Sequence, residues 1–467
     1  MDLENYCRRE LKKQTPEEVI LKQLSNLIIK IKFSDNPIKT NRQKATTLAT
    51  AVLHEVKKTN KPIKNKFIKN LLTTPKAHIK MGEMGVGSRG KGDFFVHNKI
   101  GKIASLGVKG LISPDAQDDA GVVKTEHGEL VVVAVDGTHS RLSDYPFIAG
   151  FHVARAALRD VYVNGAMPIA LVDDLHLADD GDVGALFDFV AGISAVGELA
   201  AVPLIAGSTL RIGGDMVIGE RMVSGVGAIG IAKDESRITA RKNIKLGDKI
   251  LMTSGAGGGT IATTAIYSGN FDVVAETLDI SFIKASEAIN KAGILNKIHA
   301  MVDVTNGGLR GDANEIISGS DEDFGLVFYE PKIKKLINKK VYELLKNLDI
   351  DYLGVSIDSL MLFVSPKNCD EVIKVVRDSG VEIDIIGEVG GGGKAILIDE
   401  KGCENELKPL FRESGYTKIK KVIGEKTPGE FEEMKEKVEK AYTEAIKKRN
   451  KILKFIRNND RNKEKQS

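Results

Sequence analysis

From residue 103 to 235, short apolar runs alternate with longer stretches at helical spacing. That alternation restricts this part of the chain to an α/β or α+β domain. Strands are expected at 130–135, 168–173, 202–206 and 222–231, and helices at 147–163 and 182–201. The pattern restarts after a linker-like stretch, Arg241–Asp248. A strand from Asp248 to Thr253 runs into the glycine loop Ser254–Thr260, and a helix to about Ser268 should follow. Further strands are expected at 300–304, 325–329, 360–364 and 384–388, closing a second domain near 425. A chain of 467 residues that is 42% hydrophobic can fill two cores, and 47 glycines with no tryptophan suit a fold with many tight turns.

The ends read differently. In residues 1–75, Leu21, Leu24, Leu27, Ile28 and Ile31 recur at helical spacing, as do Leu48, Ala51, Val52 and Val56. Asn41 and Thr47 are candidate caps, and the lysine-rich region is expected to form a helical cap on the next domain. Residues 82–93 are glycine-rich and poor in apolar side chains, so a mobile segment is expected. From Thr427 the chain reads as a charged helix through Phe431, Met434, Val438, Ala441, Ala445, Ile452 and Phe455, fraying from Arg457 to Ser467. The resulting division is a helical extension at 1–75, an α/β domain at 80–240, a second at 241–425 and a charged tail at 426–467.

Composition removes several classes. A net charge of +4 over this length does not argue for nucleic-acid binding, which is therefore not expected. Cys7, Cys369 and Cys403 lie far apart without a zinc-ligand spacing, so neither a disulfide framework nor a zinc site is expected and a reducing cytoplasm fits best. Charges interrupt the N-terminus and no apolar run reaches membrane-spanning length, so no signal peptide or span is expected.

The chemistry is carried by acids at the ends of apolar elements. Asp118 and Asp119 precede a strand starting at Gly121, Asp136 ends the run Val131–Val135, and Asp160 closes the helical stretch His152–Arg159. Gathered carboxylates repel one another unless a cation joins them, and hard divalent ions with oxygen ligands usually bring nucleotide phosphates. Asp173 and Asp174 follow a buried-looking run, and one of them is placed to face such a site. Asp179, Asp180 and Asp182 read as a solvated turn and helix start, and His176 as structural or exposed. The glycine loops at 85–92 and 254–259 can offer backbone N–H groups to phosphate, the first with Arg89 and Lys91 beside it, although neither matches the Walker A or dinucleotide patterns. In Asp303-Val304-Thr305-Asn306-Gly307-Gly308-Leu309, followed by Glu315, an acid ends an apolar run and leads through a Gly-Gly turn into a helix.

Together these strings resemble the aminoimidazole-ribonucleotide (AIR) synthetase superfamily, over roughly residues 80–425. Asp118-Asp119-Ala120-Gly121-Val122 resembles its Asp-Asp-Ala-Ala-Val, and Val135-Asp136 its Thr-Asp strand end. Asp160 through Gly165-Ala166-Met167-Pro168 resembles its helix end, and Asp303–Leu309 its Asp-x-Thr-x-Gly-Gly-Leu. The resemblance implies a two-domain α/β (α+β) fold in which the first sheet pairs with that of a second copy as a dimeric β-barrel, here with extra helices at both ends. It implies ATP and Mg2+ as cofactors, covered by the glycine-rich segment, and an amide-type or other small-molecule acceptor. Carried over by position, Asp118, Asp119, Asp136 and Asp160 would hold the metal, and Gly87, Arg89, Lys91, Asp303 and Asn306 would meet the ATP phosphates.

Departures accompany the matches. Arg159 stands where the family has Asn, and Ser208 of Ala206-Gly207-Ser208-Thr209 replaces the acid of Gly-Gly-Asp-Thr, with Asp173 or Asp215 as candidate substitutes. Gly85-Val86-Gly87 lacks the reactive cysteine of selenophosphate synthetase, and Glu464–Ser467 lacks the terminal cysteine of the hydrogenase-maturation dehydratase. The leading expectation is an ATP- and Mg2+-dependent phosphoryl-transfer or ligase/cyclase-type enzyme. The alternatives are a nucleotide-binding regulatory protein with reduced catalysis, motivated by Arg159 and Ser208, and an assembly or RNA-associated scaffold, motivated by the basic run 446–463.

Overall fold

A computed structural model describes residues 1–319 and 324–464. Two sheets organise it. The first has the order β1-β2-β5-β3-β4, from β1 (Gly121–Lys124), β2 (Leu130–Gly137), β3 (Met167–Leu177), β4 (Leu204–Arg211) and β5 (Met222–Ala232). Its pairings are antiparallel except β3 with β4, which are joined by an intervening helix, as a parallel crossover requires. The second has the order β12-β11-β8-β10-β6-β9-β7, from β6 (Lys249–Thr253), β7 (Ile298–Val304), β8 (Phe324–Tyr329), β9 (Ser359–Val364), β10 (Ile383–Gly391), β11 (Ala395–Ile398) and β12 (Glu404–Glu406). β11 (Ala-Ile-Leu-Ile) is apolar but only four residues long, and β12 (Glu-Asn-Glu) has no apolar residue, so neither stands out in the sequence. Mostly antiparallel pairing makes the fold α+β in detail. In the single chain the first sheet is open, with β1 and β4 as its edges.

Helices α1 (Leu3–Lys12), α2 (Glu17–Lys32), α3 (Lys39–Thr59) and α4 (Lys66–Leu72) form the expected N-terminal addition. Leu24, Ile28, Val52 and Val56 pack into a core of their own that includes Ile218 of the first sheet's domain. Asn41 and Thr47 lie inside α3 and are not caps; the side chains that cap are those of Asp2 and Asn65. Lys32 grips Asp179 and Asp180, so these acids form a docking contact for the helices and not the solvated turn expected of them. Asp182 does accept a bond from Gly184 N–H, at 2.7 Å.

The segment 82–93 is built into the fold. It takes in most of α5 (Met81–Met84) and the start of α6 (Lys91–Ala104). Buried Asp93 accepts hydrogen bonds from the N–H groups of Gly87 and Arg89, at 2.8 and 2.7 Å. A Cβ at Gly92 would lie 1.8 Å from the Met84 carbonyl, and one at Gly90 would lie 2.3 Å from that of Phe411. Its glycines thus serve close packing where mobility was expected.

Helices α7 (Pro146–Val163) and α8 (Gly184–Ala200) cover one face of the first sheet. Around the second sheet lie α9 (Gly259–Ser268), α10 (Asp272–Glu276), α11 (Ser281–Ala292), α12 (Gly308–Gly319), α13 (Glu330–Leu336), α14 (Lys339–Asn347), α15 (Cys369–Asp378) and α16 (Lys418–Ile423). The tail is α17 (Phe431–Glu464), and the Phe455 ring stacks on Phe67 at 4.1 Å, so the basic run is packed against α4. The expected fraying of Arg457–Ser467 falls partly on Lys465–Ser467, outside the described residues; Arg457–Glu464 continues the helix. The cysteines are free, and no described helix is long and apolar enough to cross a membrane.

Candidate functional site

A cavity of about 700 Å3 lies between the two sheets. Asp118 and Asp119 reach it from the turn before β1, Asp136 from the end of β2 and Asp160 from the last turn of α7. Asp303, at the end of β7, and Asn306, in the turn before α12, face them from the second sheet. Gly87 and Arg89 close one side. Lys91 is exposed on α6 and does not line the cavity. The Gly-Gly turn has a specific use here: a Cβ at Gly307 (φ +89°) would lie 2.7 Å from the Arg89 carbonyl. The second glycine loop also contributes, because Gly258, Gly259 and Thr260 bring the N-terminus of α9 to the wall, a position suited to anions.

Four arginines share the cavity with the acids. Arg241 donates to Asp119 at 2.6 Å, to Glu315 at 2.9 Å and to the Gln117 carbonyl at 2.8 Å. Arg89 donates to Glu315 at 3.1 Å. Arg159 Nε approaches Asp303 at 2.5 Å as an ion pair without hydrogen-bond alignment, and its Nη1 donates to Asp358. Arg155, one turn earlier, pairs with the other Asp358 oxygen at 2.6 Å. Asp358 (φ +59°), Arg89 (φ +47°) and Gln117 (φ +55°) are left-handed non-glycine residues, a conformation that tertiary contacts must hold.

The acids that the arginines do not saturate are displaced electrostatically. Burial pushes the Asp119 carboxyl up to about 7 despite Arg241, with Asp303 and Asp118 adding repulsion. Burial also raises Asp118 and Asp136. Asp160 is driven well up by burial and by Asp136 and Asp303. By contrast, burial would raise Glu315, but Arg89 and Arg241 hold it below the usual range. Asp118 Oδ1 and Asp119 Oδ2 are buried without a hydrogen-bond partner, although Arg241 Nε stands 3.9 Å from Asp118 Oδ1. Among the described residues no three His, Cys, Asp or Glu side chains gather into a ready-made metal cage. The acid wall therefore has charge and free oxygens to offer a cation, which would need further oxygens from water or a ligand.

Ser208 does not line the cavity; it lies on β4 beside Asp174 of β3. Asp173 and Asp215 are outside the lining as well, and Asp215 pairs with Arg211. Sequence reading passed over Arg155, Arg241 and Asp358. Arg155 carried a usable signal, since it sits four residues before Arg159 and shares its helix face. Arg241 was hidden in an apparent linker, and Asp358 precedes its apolar run, where Asp136, Asp160 and Asp303 stand at the ends of theirs.

Residues 117–232 match the family model described as AIR synthase related protein, N-terminal domain, and residues 245–400 match its C-terminal domain. An uncharacterized protein of Methanocaldococcus jannaschii is 52% identical over 98% of this chain and 98% of its own length. The chain belongs to the AIR synthase related family. More remote members include the phosphoribosylformylglycinamidine synthase subunit PurL of Thermoplasma volcanium, 26% identical over 60% of this chain but only 37% of its own. Among solved structures, the hydrogenase maturation protein HypE in complex with ATP matches with a TM-score of 0.51 and 19% identity, over 60% of this chain and 85% of that one. That likeness shows a shared fold. The AIR synthase family models span both sides of the cavity, from Asp118 to Asp358.

Proposed function

We propose that the chain is an ATP- and Mg2+-dependent enzyme that transfers a phosphoryl group to a small-molecule acceptor, or uses that transfer to drive a ligase- or cyclase-type step. One observation carries the reading: Asp118, Asp119, Asp136 and Asp160 from the first sheet's side face Asp303 and Asn306 from the second across a single cavity. Its volume is within the range of small-molecule sites. Asp118, Asp119, Asp136 and Asp160 would hold Mg2+, which would neutralise polyphosphate charge. Arg89 and the N-H groups of Gly87 and of the α9 terminus would position the phosphates. The HypE solved with ATP supports the nucleotide as ligand. Calorimetry with Mg2+ and a non-hydrolysable ATP analogue tests it: saturable binding is expected, and no heat at millimolar analogue would sink the reading.

The same reading includes a homodimer. The sheet face turned away from α7 and α8 exposes Val133, Val135 and Val223, with Val135 74% exposed. Val133 and Val135 also line the cavity, so a second copy closing the sheet into a barrel would close its mouth. Sedimentation should show a dimer, and a Val135→Lys variant should be monomeric.

A further inference from the structure

Arg159 stands where the sequence resemblance leads one to expect asparagine, and the structure shows where its charge goes. The side chain is 8% exposed, fixed over the Phe282 ring at 5.7 Å, and pointed at carboxylates from both sides of the cavity. Its Nε lies 2.5 Å from Asp303 and 3.9 Å from Asp160, and its Nη1 bonds Asp358. Asp303 and Asp358 themselves are 4% and 7% exposed. Two buried carboxylates this close to a site are strongly destabilised unless a cation is held between them. Here that cation is covalently part of the chain. Asp136 and Asp160 are the opposite case, because no described side chain donates a hydrogen bond to either carboxylate, and the nearest guanidinium approach to Asp160 is the 3.9 Å one.

We infer that Arg159 is a resident cation that takes the place of a divalent ion at Asp303 and Asp358, confining metal to the Asp118, Asp119, Asp136 and Asp160 side. The inference rests on the ATP- and Mg2+-dependent reading and specifies how that site divides its charge. A guanidinium reaches two acids with fixed N–H directions and leaves one face toward the cavity. Arg159 would then also meet polyphosphate directly, at a position where metal would otherwise bridge protein to phosphate. Arg155 supports the arrangement by holding the second oxygen of Asp358, at 2.6 Å. Arg159 is thus a positioning and charge-balancing residue for the nucleotide.

The test is anomalous diffraction from crystals of the wild-type protein soaked in Mn2+, with and without a non-hydrolysable ATP analogue. Manganese is expected on the carboxylates of Asp136 and Asp160, with none bonded to Asp303 or Asp358. A manganese ion bonded to either of those two, or none anywhere in the cavity, overturns the inference. Failure of the analogue to bind would instead remove the ATP reading, while the metal position still decides this one. In solution, electron paramagnetic resonance should count one more Mn2+ per protein in Arg159→Asn than in wild type, with Arg159→Lys keeping the wild-type count. Equal counts in wild type and Arg159→Asn, or a Lys variant that behaves like the Asn variant, contradict it. Should Arg159→Asn not fold, the wild-type diffraction experiment decides alone.

Discussion

The two walls of the cavity carry the same chemistry and solve it differently. On the second sheet's side, Asp303, Asp358 and Glu315 are each matched to arginine. On the first sheet's side, Asp136 and Asp160 have no comparable partner, and half of the Asp118 and Asp119 oxygens are buried without one. Among the acids that line the cavity, one wall is a finished ion-pair network and the other an unfinished one; behind the finished wall, outside the lining, Asp312 of α12 has both oxygens buried without a hydrogen-bond donor. A finished network holds shape, whereas an unfinished one costs stability until a cation arrives. The difference separates residues whose removal should unfold the protein from residues whose removal should abolish binding.

The finished wall gives the largest expected effect. Asp358 is shared by Arg155 and Arg159, both buried, so Asp358→Ala takes the carboxylate partner from Arg155 and leaves Arg159 with Asp303 as its close partner. Removing one partner of a buried pair typically costs about 3–5 kcal/mol. Chemical denaturation should show a loss of that size, and a loss below about 1 kcal/mol would mean that the wall is not held by these pairs. The unfinished wall should respond in the opposite sense. Asp160→Asn removes a carboxyl that burial already disfavours as an anion. The melting temperature without ligand should hold or rise, while affinity for the Mg2+–ATP analogue falls about a hundredfold, close to 2.7 kcal/mol. A variant that melts lower and binds normally would reverse the assignment of the two walls.

How far the site could be read in advance follows the same division. The acids of the unfinished wall were legible because each sits where a strand or helix ends, as at Asp136 and Asp160, a position defined by local pattern. The alternation of elements likewise placed α7, α8, β2 and β5 closely, while β3 runs four residues past its expected end and β4 shares only 204–206 with the expected strand. Arginines that complete the other wall come from α7 and from the stretch after β5, and their partners are about 70 to 200 residues away, as with Arg241–Glu315 and Arg159–Asp358. Nothing local announces such pairs. The same holds for Lys32 with Asp179 and Asp180, and for the glycine segment, whose packing against Phe411 depends on chain more than 300 residues later.

A third expectation probes the border between the walls. His139 lines the cavity, with Tyr416 at 2.8 Å from Nε2 and Thr263 at 3.1 Å from Nδ1. Burial, followed by Lys420 and Arg141, pushes its imidazole down to about 4. The unfolded chain then binds a proton that the folded chain refuses, so stability rises with pH between about 4 and 6.5 and is lost on acidification through that window. The loss is on the order of 2–3 kcal/mol at the acid end. His139→Gln should flatten this slope in melting curves taken at pH 6.5 and 4.5. An unchanged slope would place the acid sensitivity elsewhere, in buried His152, whose imidazole is also held well below its ordinary value by burial, or in acids held low by arginine such as Glu315.

The smallest expected effect separates two cations that lie two residues apart in the sequence. Arg89 lines the cavity and pairs with Glu315, whereas Lys91 is exposed on α6 and makes no part of the lining. An exposed lysine outside the cavity can act on a bound nucleotide only through screened, long-range charge. Lys91→Ala should therefore shift affinity for the ATP analogue by less than about twofold at physiological salt. Arg89→Ala should shift it about tenfold, because it removes a donor from the cavity wall and leaves Glu315 balanced by Arg241 alone. Calorimetry on the pair gives the comparison directly. If Lys91→Ala proves the more damaging, then the segment 82–93 moves over the ligand on binding, and the close packing at Gly90 and Gly92 describes only the unliganded protein.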